Sequence, residues 1–406
     1  MQNRRPKHRV VVLGAGYAGS YVAGILARRL SSKDVEITVV NAESHFVQRL
    51  QLHRVAAGQE IAAPQLDEVF AGTPIRLRVA RVTAVDPDRR VVAVADAAGG
   101  GEIEYDTLLY ALGSRVTDHG VPGVAEHAYD VAGRPSALRL RERLDELEER
   151  ADSRSVVVVG TGFTGIEAAT EIAESRPGLS VTLVGRGQLG SQLSPGARRH
   201  LRQACDRLGI TVREHTIVEA VDATGVRGAD GTTIPSDATV WTGGFAVHPI
   251  AAASGLEVTE AGRIVVDRTM RSVSHPEVYA AGDAAHAIGD NGRPLPMSCG
   301  SAGYTGRQAV EAIVARLTGR EVPTTDLPFK LVHVSLGRRD GILQAFDGDA
   351  QPKPKYTGGR GAARVKAAIV KGSLWASSHP TFGMPKRKRR LAAVPDSRSG
   401  EADVAA

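Results

Sequence analysis

Apolar runs and helical stripes alternate along this chain in a repeating order. Residues 9–14 read as a buried strand, 17–30 as a helix and 35–41 as a second strand, which together predict a βαβ unit. The same grammar returns with the apolar run at 156–159, a helix at 164–175 and a strand at 180–184. Between the two units lie turn-broken, strand-like segments at 75–96 and 103–112. A charged helix near 134–151 follows them, with Leu138, Leu140, Leu144 and Leu147 forming its apolar stripe. Residues 239–287 again read as strands separated by Gly, Pro and His turns, and a helix is predicted at about 301–318. Beyond Thr324 the pattern changes to a short α+β segment that ends in a basic run, and residues 391–406 read as disordered.

The junctions between strand and helix carry the chemistry. Gly14-Ala15-Gly16-Tyr17-Ala18-Gly19 sits where the first strand hands over to its helix. In such a loop the first glycine permits the tight turn, the second lets the backbone approach a pyrophosphate, and the third lets the helix pack closely. The free N–H groups of the helix start then face the phosphate charge. Gly160-Thr161-Gly162-Phe163-Thr164-Gly165 repeats the device, with Glu167 just inside its helix. Two such loops in one chain imply two dinucleotides bound together.

The residue ending the second strand of each unit normally reads the adenosine ribose. Asn41 holds that place in the first unit, with Glu43 two positions on. In the second unit the strand runs into Val184-Gly185-Arg186, without an acidic residue and with a guanidinium that could meet a 2′-phosphate. NADH and NADPH both stay open as donors.

Composition removes several classes. A 42% hydrophobic share with 24% charged residues is that of an ordinary globular protein. Two cysteines, Cys205 and Cys299, argue against a disulfide framework and against a four-ligand metal site. The run Lys386, Arg387, Lys388, Arg389, Arg390 accounts for most of the formal charge of +6, so the basic excess is local and no nucleic-acid partner is expected. That run reads as a solvated tail or as a peripheral contact with an anionic membrane. No apolar stretch reaches the roughly eighteen residues of a membrane span, so a cytoplasmic location is expected, with membrane association open.

Three further segments complete the pattern: YDTLLYALGS at 105–114, VWTGGF at 240–245 and VYAAGDAA at 278–285. Together with the two loops they resemble the two-dinucleotide-binding-domain flavoproteins of the pyridine nucleotide-disulfide oxidoreductase superfamily. Within it the chain is most similar to apoptosis-inducing-factor-like, ferroptosis-suppressor NAD(P)H:quinone oxidoreductases and to type II NADH dehydrogenases. SLGRRDGILQ at 335–344 and the pattern of residues 359–375 extend the resemblance into the C-terminal segment. Disulfide reductases are disfavoured, because residues 41–60 hold no cysteine pair.

The resemblance implies an α/β fold of two Rossmann-like domains, one for FAD and one for NAD(P), the second inserted in the first, plus a small C-terminal domain. The FAD domain is expected over 1–120 and 260–322, the NAD(P) domain over 121–259, the C-terminal domain over 323–385 and a basic, disordered tail over 386–406. It implies that FAD is held by the first loop, Asn41, Gly113, Gly282 and Asp283, with Arg54 near the pyrophosphate and the main chain of Val82 on adenine. Glu167 matches a carboxylate that orients the nicotinamide, and Gly160, Gly162, Gly165 and Arg186 would hold the donor. Hydride would pass from NAD(P)H to flavin N5 and two electrons onward to a quinone-like acceptor. A ferredoxin or rubredoxin reductase, or a flavin-based redox sensor, is the alternative. Type II NADH dehydrogenases carry glutamines where this chain has Cys299-Gly300-Ser301-Ala302-Gly303-Tyr304. The acceptor end is therefore lined differently, with Tyr304 a candidate stacking group and Cys299 a candidate neighbour of the flavin.

Overall fold

Val10 to Leu13 and Val156 to Val159 are buried along their whole length, as strands must be when both faces of a parallel sheet are covered. The computed structural model describes residues 6–150, 154–382 and 388–392. In its first sheet Val278–Ala280, Thr107–Tyr110, His8–Leu13, Val35–Asn41 and Ile75–Val79 lie side by side in that order, all parallel. In its second sheet the order is Thr211–Arg213, Ser180–Val184, Ser155–Val159, Ala238–Trp241 and Ala128–Tyr129, again all parallel. In both sheets the glycine loop leaves the central strand, so each loop opens at the carboxyl edge where doubly wound sheets bind ligands.

Each sheet has its own core. Leu26, Val39, Leu108 and Ile313 belong to the first, and Leu140, Leu144, Leu147, Ile166 and Leu201 to the second. The charged helix Arg134–Glu149 thus buries the predicted stripe, with Leu138 only partly covered. The chain crosses between the halves at Ser114–Val116 and Phe245–Val247, and these two segments pair antiparallel, so each crossing satisfies the other's backbone. Ala251 and Leu256 lie in the first core.

The C-terminal unit is an antiparallel sheet of Leu331–Ser335, Gly341–Phe346 and Pro352–Gly358 followed by the helix Gly359–Ser378. Val334, Leu336 and Ile342 join the second core, and Leu374 packs on the first. The unit therefore bridges the two halves.

The basic segment departs from the disordered tail expected over 386–406. Arg389 donates its N–H to Arg29 O at 2.9 Å and accepts from Ser31 N at 2.9 Å, while Ala392 N donates to Leu317 O at 3.0 Å. Arg390 meets Asp34 at 3.1 Å and Leu391 packs on the first core. Open backbone beside Leu30 and a carboxylate at Asp34 give this stretch partners that charge patterning along the chain does not reveal. Residues 386–387 and 393–406 lie outside the described residues. Among the described residues no helix is long and apolar enough to cross a membrane.

Candidate active site

The first loop is shaped by contacts that leave no room for side chains. A Cβ on Gly19 would stand 1.8 Å from Gly14 O, and one on Gly14, at φ +94°, would stand 2.4 Å from Ala111 O. Gly16 is different: nothing lies within 4 Å of its would-be Cβ, so the backbone there faces open space. No side chain caps the helix Tyr17–Arg29, whose first-turn N–H groups stay available to an anion. Asn41 braces the loop, its Oδ1 accepting from Ala15 N at 2.8 Å and its Nδ2 donating to Glu43 O at 2.7 Å. The second loop repeats the steric plan, with 1.8 Å between a Cβ on Gly165 and Gly160 O, and with open space at Gly162.

Both loops line one continuous cavity of about 1260 Å³. On its wall Asp283 sits in the turn Gly282–Ala284, where its Oδ2 accepts from Ser114 Oγ at 2.6 Å. Arg49 donates to Ser114 O at 2.9 Å, lies 3.8 Å from Asp283 Oδ2 and stands over the Phe245 ring at 5.4 Å. Gly282 N donates to Thr305 Oγ1 at 2.9 Å, tying the turn to the helix Cys299–Leu317. Cys299 lines the same space. Burial, with Asp283 adding, pushes its thiol up to about 12, which favours the protonated form near neutral pH. Cys205 is buried in the second core.

Where the helix Phe163–Ser175 meets the C-terminal unit, Glu167 accepts from Ser335 N at 2.9 Å and pairs with Lys366. The two side chains are only 14% and 7% exposed, and both residues line the cavity. Burial pushes the Lys366 ammonium down to about 7, with Arg54 adding to the effect, against the attraction of its own carboxylate partner. His53 and His333 line this end as well, and burial holds both imidazoles below their usual range. Tyr304, 39% exposed, and the segment 328–333 form the outer wall.

The cavity brings together most of the residues singled out in the sequence. Gly14, Ala15, Gly16, Tyr17, Ala18, Asn41, Gly113, Gly160, Gly162, Glu167, Arg186, Gly282 and Asp283 line it. Gly19 and Gly165 lie beneath their loops. Arg54 and Val82 do not line it. Arg54 turns away from the cavity, bonding Gln59 at 2.8 Å and Gln51 in the direction of Glu171. The cavity-lining guanidinium that faces the Asp283 carboxylate is that of Arg49, five residues earlier in the same segment. Val82 is a buried ladder residue opposite Val94. Sequence reasoning missed Arg49, Ser114 and Lys366. For Lys366 a signal existed, since Ala362, Lys366 and Val370 recur every four residues on the buried face of one helix.

Comparison with known proteins agrees with this geometry. Residues 8–306 match the family model for pyridine nucleotide-disulphide oxidoreductases. An NADH dehydrogenase-like protein of Mycobacterium tuberculosis is 29% identical over 354 residues, 82% of this chain and 87% of the relative. A demethylphylloquinone reductase of Synechocystis is 27% identical over 333 residues, 79% of this chain and 82% of the relative. Among solved structures, NDH2 of Plasmodium falciparum in complex with NADH superposes with a TM-score of 0.78 at 14% identity, covering 93% of this chain and 97% of that one. The sulfide:quinone oxidoreductase of Aquifex aeolicus does so at 0.75 and 18%, covering 93% of each chain. These two likenesses show a shared fold. With the family match spanning most of its length, the chain belongs to the pyridine nucleotide-disulphide oxidoreductases.

Proposed function

We propose that the chain is an FAD-dependent NAD(P)H:quinone oxidoreductase. The observation that carries this reading is the single cavity onto which both glycine loops open, with Asp283 and Arg49 on its wall. The residues fit FAD: Gly16 leaves the space a pyrophosphate needs, the uncapped helix offers N–H groups to its charge, and Glu43 lines the cavity where a ribose hydroxyl needs an acceptor. Arg49 takes the cationic role expected of Arg54. Bound there, FAD supplies a two-electron relay between donor and acceptor.

The protein's own groups bind, orient and move protons. Gly160, Gly162 and the start of the second glycine helix hold the donor's pyrophosphate, and Glu167 orients its nicotinamide end. Positioning supplies most of the catalysis on this side, because hydride transfer needs no protein acid or base. The acceptor end lies against Tyr304 and the apolar Pro328, Phe329, Leu331 and Val332, a surface suited to a quinone ring. There Lys366, held by Glu167 and lowered in basicity by burial, donates a proton to the acceptor oxygen as it is reduced.

The C-terminal helix gives the acceptor a route. Val365, Trp375 and Phe382 are exposed, Trp375 stacks with His379 and meets Phe382 edge to face, and Arg364 and Lys371 are exposed beside them. This surface fits a peripheral contact with an anionic bilayer, where long-chain quinones reside. Binding to anionic vesicles is expected to fall with salt and with Trp375→Ala; recovery independent of both removes the contact. For the activity itself, purified protein should release FAD on denaturation and reduce short-chain quinones faster than a ferredoxin. Protein that cannot be loaded with FAD overturns the reading.

A further inference from the structure

The donor's adenosine end is read on the edge of the second sheet. Past Val184 the chain turns at Gly185, where a Cβ would stand 2.4 Å from the Thr161 side chain, so this residue is pressed against the second glycine loop. Gly185 N donates to Arg213 O at 3.0 Å and Gly185 O accepts from Thr216 N at 2.9 Å, which closes the ladder. The next three N–H groups, those of Arg186, Gly187 and Gln188, have no acceptor among the described residues, and all three residues line the cavity. The following N–H, on Leu189, goes to Glu214 at 2.7 Å. Arg186 is exposed, and its guanidinium has no partner among the described residues. Successive free N–H groups beside a free guanidinium are the makings of an anion site.

A reader of an unphosphorylated ribose would need a carboxylate here. The carboxylates lining the cavity are Glu43, Glu167 and Asp283, which belong to the first loop, the Lys366 pair and the turn Gly282–Ala284. Glu214, the acid of this edge, does not line the cavity and is held by Leu189 N and Arg202. We infer that Arg186 and the N–H groups of residues 186–188 form a site for the 2′-phosphate of NADPH, which makes the phosphorylated nucleotide the preferred donor. This rests on the reading that the second glycine loop takes the donor. A 2′-phosphate carries roughly −1.5 to −2 charges at neutral pH, so the planar fork of Arg186 meets a group that NADH lacks.

The test compares calorimetric binding of 2′,5′-ADP and 5′-AMP to the FAD-loaded protein, in wild type, Arg186→Ala and Arg186→Lys. The expected result is tighter binding of 2′,5′-ADP by about ten- to a hundredfold, abolished in the alanine variant and partly kept in the lysine variant. Equal binding of the two nucleotides by wild type overturns the inference, as does a preference that survives Arg186→Ala. Anaerobic mixing with NADPH and with NADH separates this from the parent reading. If neither reduces the bound flavin, the donor assignment fails whatever the calorimetry shows; if NADH reduces it at least as efficiently as NADPH, only the 2′-phosphate site is lost.

Discussion

The two glycine loops are near copies at the level of backbone sterics and differ in what surrounds them. Each has a third glycine whose Cβ would stand 1.8 Å from the first glycine's carbonyl oxygen. The first loop is closed in by its own domain: Asp283, Ser114 and Arg49 face it, the Cys299–Leu317 helix packs on its helix, and residues 389–392 strap the far side. The second loop is covered by the C-terminal unit through Glu167, Ser335 and Lys366, and its adenosine edge at Arg186 is exposed. On the proposed function one sequence device serves two purposes: the more enclosed copy suits a retained nucleotide, the one with the exposed edge a nucleotide that comes and goes.

Four experiments break or sharpen that contrast. The largest effect is expected from Gly19→Val against Gly165→Val. Each forces a side chain into a carbonyl oxygen, but the first should give protein without FAD, read from its absorbance. The second should keep FAD and lose reduction by NAD(P)H. Next, Lys366→Met should slow reoxidation by a quinone about a hundredfold, the scale of a lost general acid. The proton is available only while Lys366 is charged, so wild-type reoxidation should be full at low pH and decline as pH rises through about 7. The variant should lose that decline. Stopped-flow mixing at several pH values checks both, and an unchanged profile removes Lys366 from proton delivery.

The third comparison sets Arg49→Ala and Asp283→Ala against Arg54→Ala. The first two should weaken FAD retention about tenfold or more, as expected for charge-assisted contacts, and the last should not. Dialysis with a flavin assay of the filtrate decides; equal loss in all three would put Arg54 back in the site. The smallest effect belongs to the strap. Arg390→Glu breaks an exposed pair with Asp34, and a change of under about 1 kcal/mol in stability with unaltered FAD content is expected from thermal unfolding.

The glycine loops were legible because their demands are local. Gly14 and Gly160 need positive φ, and Gly19 and Gly165 need the absence of a Cβ, whatever the rest of the chain does. The alternating strand and helix pattern was legible for a similar reason, since Val10 to Leu13 and Val156 to Val159 are covered on both faces. Arg49 and Arg54 could not be told apart along the chain. Both lie in one short helical stretch, and which of them meets Asp283 depends on how that stretch sits against Ser114 and Glu171. Arg389 and Arg390 read as solvated because their partners, Arg29, Ser31 and Asp34, lie at the other end of the sequence. Glu167 was legible as a cavity residue, but its partner Lys366 comes from a different unit, and the four-residue recurrence that puts Lys366 on a buried helix face does not say which carboxylate it meets.

Rapid mixing under anaerobic conditions separates the two halves of the proposed cycle and tests the central claim most directly. NAD(P)H should bleach the flavin absorbance of the purified protein within its turnover time, and a short-chain quinone added afterwards should restore it in a second, pH-dependent phase. A flavin that NAD(P)H does not bleach, or that stays bleached in the presence of quinone, would contradict the assignment of this cavity to electron transfer from a nicotinamide donor to a quinone.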